Sequence, residues 1–165
     1  MRRKDREIQD PQELLSILGR HDIARVAFCD DGQPYIVPMH FGSTGTVLYF
    51  HCAAEGRKLE ILLRNDRVAF EVDGAYRLLP GDEACDWSAT FESLVGQGRM
   101  SVVTDPDERS YGMDSIMSHY GHNGKPLYDP AVFERTVILR LTVESMTGKR
   151  KSPPSPLTPQ ASETV

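Results

Sequence analysis

The chain has 165 residues, enough for one domain with a substantial core and too few for two. A net charge of −5 speaks against a nucleic-acid partner, which would demand a basic stripe. No apolar run approaches a bilayer span, and the charged start Met1-Arg2-Arg3-Lys4-Asp5-Arg6-Glu7 has no apolar stretch behind it, so the expectation is a cytoplasmic protein without a membrane.

The first helix is announced by Asp10-Pro11-Gln12-Glu13: an N-cap aspartate, proline at the first helical position and an acid three residues after the cap. Leu14, Leu15, Ile17 and Leu18 form its apolar face, and Gly19 ends it. Strands are expected over Ile23 to Cys29 and Tyr35 to Phe41, joined by a hairpin at Asp31-Gly32. The turn Gly42-Ser43-Thr44-Gly45 leads into a third strand, Thr46 to His51. A helix over Glu55 to Arg64 follows, then a strand over Arg67 to Asp73 alternating around Val68, Phe70 and Val72.

Residues 74 to 90 read as irregular, and Ala89 to Val103 as a long strand. Gly96 and Gly98 inside that strand mark a bulge, a barrel corner or a close approach. Asp105-Pro106-Asp107-Glu108 caps a helix to about Tyr120, and Arg135 to Val143 is a last strand. A tail rich in proline and serine, over 151–165, reads as disordered behind a domain of residues 1–150. Six strands and a few helices in this order predict a mainly β fold, an antiparallel barrel with helices packed outside. No GxGxxG follows a strand and no GxxxxGK[ST] occurs, so a nucleotide would not bind by the Rossmann or P-loop route. The three cysteines, Cys29, Cys52 and Cys85, are widely spaced, which suits neither a disulfide framework nor a zinc site.

The stretch Leu48-Tyr49-Phe50-His51-Cys52-Ala53-Ala54-Glu55-Gly56-Arg57-Lys58 carries the chemistry. Arg57 and Lys58 fall in a helix's first turn, where the helix field already disfavours cations. A bound phosphate would account for them; two solvated basic residues beside Glu55 and Glu60 are the plain alternative.

Seven segments, in order, resemble the FMN-binding split β-barrel superfamily founded on pyridoxamine 5′-phosphate oxidase, and within it the nitroimidazole-resistance (Nim) branch. They are residues 1–8, Tyr35-Ile36-Val37-Pro38-Met39-His40-Phe41-Gly42, residues 48–58, Phe70-Glu71-Val72-Asp73, Ala84-Cys85-Asp86-Trp87-Ser88, Glu92-Ser93-Leu94-Val95-Gly96-Gln97-Gly98, and Glu144-Ser145-Met146-Thr147-Gly148-Lys149. The resemblance implies a six-stranded antiparallel split barrel and a homodimer that holds FMN in a groove shared between subunits. It implies ring contacts from Val37, Pro38, Met39 and His40, and a phosphate site at His51, Ala53, Arg57 and Lys58. It also implies that Trp87 covers the ring and that Ser93 and Gln97 line the groove. The activity implied is flavin-dependent reduction of a small oxidised substrate such as a nitroaromatic. Lys149-Arg150-Lys151-Ser152-Pro153-Pro154 differs from the ordered basic segment with which the oxidases grip the vitamin phosphate, so the resemblance does not extend to that reaction.

His51 reads either as a strand-end histidine tied to a carbonyl or, preferred here, as a phosphate or proton donor at the site. His40 on the neighbouring strand is equally a core or a groove residue. His119 and His122 flank Gly121 at a helix end, where the dipole favours histidine, so no metal site is assigned to them. FAD in place of FMN is compatible with the same motifs. A haem-binding split barrel, with His51, His40 or His119 as ligand, and a flavin-binding module without turnover are the alternatives.

Overall fold

The computed structural model describes residues 3–152. A two-residue strand, β1 (Glu7–Ile8), precedes helix α1 (Pro11–Gly19), whose N-cap Asp10 accepts a hydrogen bond from the Gln12 amide at 2.9 Å. Strands β2 (Ile23–Asp30) and β3 (Gln33–Thr44) form the expected hairpin; Asp31 and Gly32 both take positive φ, 49° and 83°, as a tight two-residue turn requires. Next come β4 (Val47–Ala53), α2 (Arg57–Leu62), β5 (Arg67–Leu79), β6 (Ser88–Val102), α3 (Pro106–His119), α4 (Pro130–Glu134) and β7 (Thr136–Lys151).

All strand pairings are antiparallel, in the order β1-β7-β4-β3-β2-β5-β6, and β6 pairs back onto β7. Six strands therefore close into a barrel, with β1 added at its rim. Closure brings β6 very near β7. A side chain at Gly98 would put its Cβ 2.1 Å from the Thr142 carbonyl oxygen, and one at Gly96 would sit 2.4 Å from the Phe70 ring. The register shifts between Gln97 and Gly98, so the paired glycines are a bulge and a close approach together. Inward residues Val26, Phe28, Phe41, Leu48, Phe50, Phe70, Leu94, Leu139 and Leu141 fill the barrel, and Leu14, Ile17 and Leu18 of α1 plug one end. A second cluster (Tyr49, Val103, Ile116, Ile138) lies outside the wall under α3.

Three expectations need correction. Residues 74–79 are not irregular: β5 passes a bulge between Gly74 and Arg77 and runs on to Leu79, forming with Ser88–Glu92 an arm that extends the hairpin. The last strand does not stop at Val143; it continues to Lys151 because β6 and β1 both offer it pairing edges. Lys149, Arg150 and Lys151 are accordingly part of a strand, with Arg150 bonded to Glu92 and Glu13. The proline-rich remainder of the tail, 153–165, lies outside the described residues.

The Arg150 contact belongs to a polar cluster that ties α1, β6 and β7 together. Glu92 is 4% exposed, and it accepts hydrogen bonds from Arg20 (2.8 and 3.0 Å), Arg150 (2.9 and 3.2 Å) and His21 (2.8 Å). The Arg20 bond, followed by those of Arg150 and His21, holds the Glu92 carboxyl down at about 2 against the cost of burial.

Candidate functional site

The barrel is split. Strands β3 and β4 pair only from Thr44–Val47 to Phe41–Phe50; beyond that pair they part. From there β3 stays with β2, with His40 opposite Ile23 and Val37 opposite Val26, while β4 stays with β7, with His51 opposite Ile138 and Ala53 opposite Thr136. The facing edges of 37–40 and 51–53 thus lack a strand partner between them. Backbone N–H and C=O groups on such edges need another partner.

A groove of about 540 Å³ occupies this opening, lined by Val37, Pro38, Met39 and His40 on one side and His51, Cys52 and Ala53 on the other, with Lys58, Arg135 and Thr136 at its end. Strand alternation explains the lining. Tyr49, His51 and Ala53 share the outward face of β4; Tyr49 is buried under α3 while His51 and Ala53 are left open. Beside the groove the Tyr120 ring packs on His40, with centroids 5.2 Å apart.

The electrostatics of the groove are positive. Among the described residues Lys58 is in no ion pair, and neither is Arg135, whose Nε donates to the Ala131 carbonyl at 3.1 Å. Most groove-distant arginines, by contrast, have carboxylate partners, among them Arg25, Arg64, Arg99 and Arg140. Partial burial of the ring, and after it the neighbouring His40, pushes the His51 pKa below the ordinary histidine value. Burial pushes the Cys52 thiol up, partly offset by the charge of Lys58.

Seven of the eleven residues singled out from sequence therefore meet in one cavity: Val37, Pro38, Met39, His40, His51, Ala53 and Lys58. Arg57 does not line it. Its guanidinium bonds Asp30 at 3.4 Å and lies over the Tyr35 ring at 4.6 Å. Helix α2 is six residues long, and no side chain caps its start, where Gly56 holds φ at 125°. So short a helix supplies little field, and the positive character comes from Lys58 and Arg135 instead. Trp87, 52% exposed, sits at the end of the β5–β6 arm. Ser93 and Gln97 lie on β6, separated from β3 by β2 and β5, and Gln97 lines a separate groove with Ala27, Pro34 and Arg67. His119 is occupied: its Nε2 donates to the His21 carbonyl at 2.9 Å and its ring packs on Phe41 at 4.8 Å, which removes it from the ligand candidates. Arg135 was missed from sequence. The only signal was a cation directly after the short helix that Asp129-Pro130 caps.

The family profile described as pyridoxamine 5′-phosphate oxidase matches residues 10–150. The chain belongs to the pyridoxamine 5′-phosphate oxidase family. Among solved structures it is similar to a candidate 5-nitroimidazole antibiotic resistance protein from Bacteroides thetaiotaomicron, 32% identical over 87% of this chain and 86% of that one, with a TM-score of 0.77. That likeness sets it in the Nim-like branch of the family. It is also similar to an FAD-binding protein from Mesorhizobium loti, 25% identical over 89% of this chain and 98% of that one, with a TM-score of 0.65. A curated relative, an uncharacterised protein of Rhizobium meliloti, is 28% identical over 92 residues, 47% of this chain; the match spans 60% of that relative's length. Among the described residues no helix is long and apolar enough to cross a membrane.

Proposed function

We propose that the chain binds a flavin in the split between β3 and β4 and uses it to reduce a small oxidised substrate, a nitroaromatic being the best-supported class. One observation carries this reading: the opening places two strand edges that part from one another, a pair of histidines and a lysine that is in no ion pair among the described residues around a single groove. An isoalloxazine is a flat ring with a polar edge of donors and acceptors, which suits the unpaired backbone of residues 37–40. The phosphate of FMN, or the first phosphate of FAD, suits Lys58. Family membership and the likeness to a nitroimidazole-resistance protein and an FAD-binding protein support the same reading.

The bound flavin would supply the redox chemistry, taking electrons from a donor such as reduced nicotinamide and passing them on. The chain's residues do the rest. Val37, Pro38, Met39 and His40 orient the ring and keep water from one of its faces. Reducing a nitro group to a nitroso group consumes two electrons and two protons and releases water. His51, with His40 the second imidazole at the groove, would hold one of those protons, and a lowered pKa makes it a ready donor once protonated.

We further propose a homodimer in which a second copy completes the groove. Ser93 and Gln97 are displayed on an outward sheet face that also exposes Ile36 (61%) and Val95 (51%), and Trp87, at the end of its arm, is 52% exposed. Those positions suit contacts with another copy's flavin better than with their own. Two-fold pairing is also the commonest route to such a shared site.

His40 and His51 at one groove also suit a haem iron, the second reading. An absorption spectrum of the purified protein separates the two. Paired flavin bands and release of flavin on denaturation support the first; an intense Soret band that shifts on reduction supports the second.

A further inference from the structure

We infer that the groove takes its flavin as the dinucleotide, FAD, with Arg135 on the second phosphate and a second cavity around Val132 receiving the adenosine half. The inference rests on the flavin reading above and concerns what lies past the first phosphate.

The groove does not end at Lys58. A second cavity of about 480 Å³ adjoins it and shares three lining residues with it, Ala53, Arg135 and Thr136; Ala54, Glu55 and Val132 complete its walls. The side chains there are small: Ala53 lines both cavities and Ala54 the second. FMN ends at its phosphate and would leave this extension to water. FAD continues through a diphosphate into ribose and adenine and needs such a continuation.

The lining chemistry follows the same order. Lys58 lines only the first cavity, Arg135 lines both, and Glu55 and Val132 line only the second. Arg135 is held in place through Nε by the Ala131 carbonyl at 3.1 Å, which leaves the two terminal guanidinium nitrogens free of other hydrogen bonds among the described residues. A fixed guanidinium with both terminal nitrogens available is suited to phosphate oxygens. Thr136 does not compete for the ligand, because its hydroxyl donates to the Val132 carbonyl at 2.9 Å. Beyond the cation, the Val132 side chain, 54% exposed, offers an apolar surface for a purine, and the Glu55 carboxylate an acceptor for ribose hydroxyls or the adenine amino group.

The test is titration of flavin-free protein with FAD and with FMN, followed by quenching of flavin fluorescence or by calorimetry. Two variants accompany the wild type: Arg135→Gln, which removes the cation, and Val132→Glu, which sets a carboxylate in the second cavity at a helix position where acids are well tolerated. The expected result is tighter binding of FAD than of FMN by the wild type. Both variants should weaken FAD binding by about tenfold to a hundredfold; FMN should stay within about twofold in Val132→Glu and, because Arg135 also lines the first cavity, should weaken in Arg135→Gln by clearly less than FAD. Equal affinities for FAD and FMN that neither variant separates would overturn the dinucleotide inference and leave the flavin reading intact. A loss shared equally by FMN and FAD in Arg135→Gln would also overturn it, by putting Arg135 on the first phosphate. Failure of the wild type to bind either flavin would overturn both readings.

Discussion

Replacing Lys58 with alanine isolates the anion site. Lys58 is half-buried at the end of the groove and in no ion pair among the described residues, so removing it strips no carboxylate there of a partner. A charge-assisted hydrogen bond contributes about 1.5–3 kcal/mol, and partial exposure favours the lower half of that range. FMN binding to Lys58→Ala should therefore weaken roughly ten- to thirtyfold, with wild-type binding falling more steeply than the variant's as salt is raised. Riboflavin, which lacks the phosphate, should bind both proteins alike, and the urea midpoint should barely move. Arg57→Ala should weaken FMN binding much less, because that guanidinium is engaged with Asp30 and Tyr35 outside the groove. The assay is fluorescence titration with FMN and riboflavin in parallel. Unchanged FMN affinity in Lys58→Ala, or an equal loss for riboflavin, would mean that Lys58 does not hold the phosphate.

Other expectations follow from separate parts of the molecule. Glu92→Gln should destabilise the fold by about 2–4 kcal/mol at pH 7, since it strips a buried carboxylate from Arg20, Arg150 and His21. Because the folded Glu92 carboxyl sits at about 2, below its unfolded value, its contribution is complete above about pH 4.5 and fades as pH falls toward 2; urea melts across that range should show the wild type and variant converging, and a constant difference would contradict this. In an NMR titration the His51 imidazole should protonate below the ordinary histidine value of about 6.5 and shift upward in His40→Ala, whereas an unmoved His51 would remove the proposed influence of His40. Val95→Glu, on the outward face of β6, should yield a monomer by light scattering together with loss of bound flavin; a dimer with full flavin content would place the pairing surface elsewhere.

The barrel was legible because its signals were local. Asp31-Gly32 dictated a hairpin, Asp10-Pro11 and Asp105-Pro106 dictated helix starts, and the alternation through Val68, Phe70 and Val72 dictated a half-buried strand. What the sequence hid was decided at long range. Gly74 and Ala75, with φ of 52° at the alanine, look like the end of a strand, yet pairing with Ser88–Thr90 carries β5 past the bulge. The polar residues after Val143 look like a loop until β6 and β1 are found on either side. The split itself is invisible in the residues of β3 and β4, which read as a plain meander; it arises because each strand keeps its other neighbour as the two diverge. Arg135 reaches the groove only because α4 returns the chain to the Ala53 end of β4, a placement that no spacing in the sequence encodes.

The most direct test of the account is the absorption spectrum of the purified protein, taken before and after incubation with flavin and desalting. A flavin held in the split gives a yellow protein with paired absorption bands, the flavin being released on denaturation in stoichiometric amount. A protein that remains colourless after incubation with both FMN and FAD would contradict it.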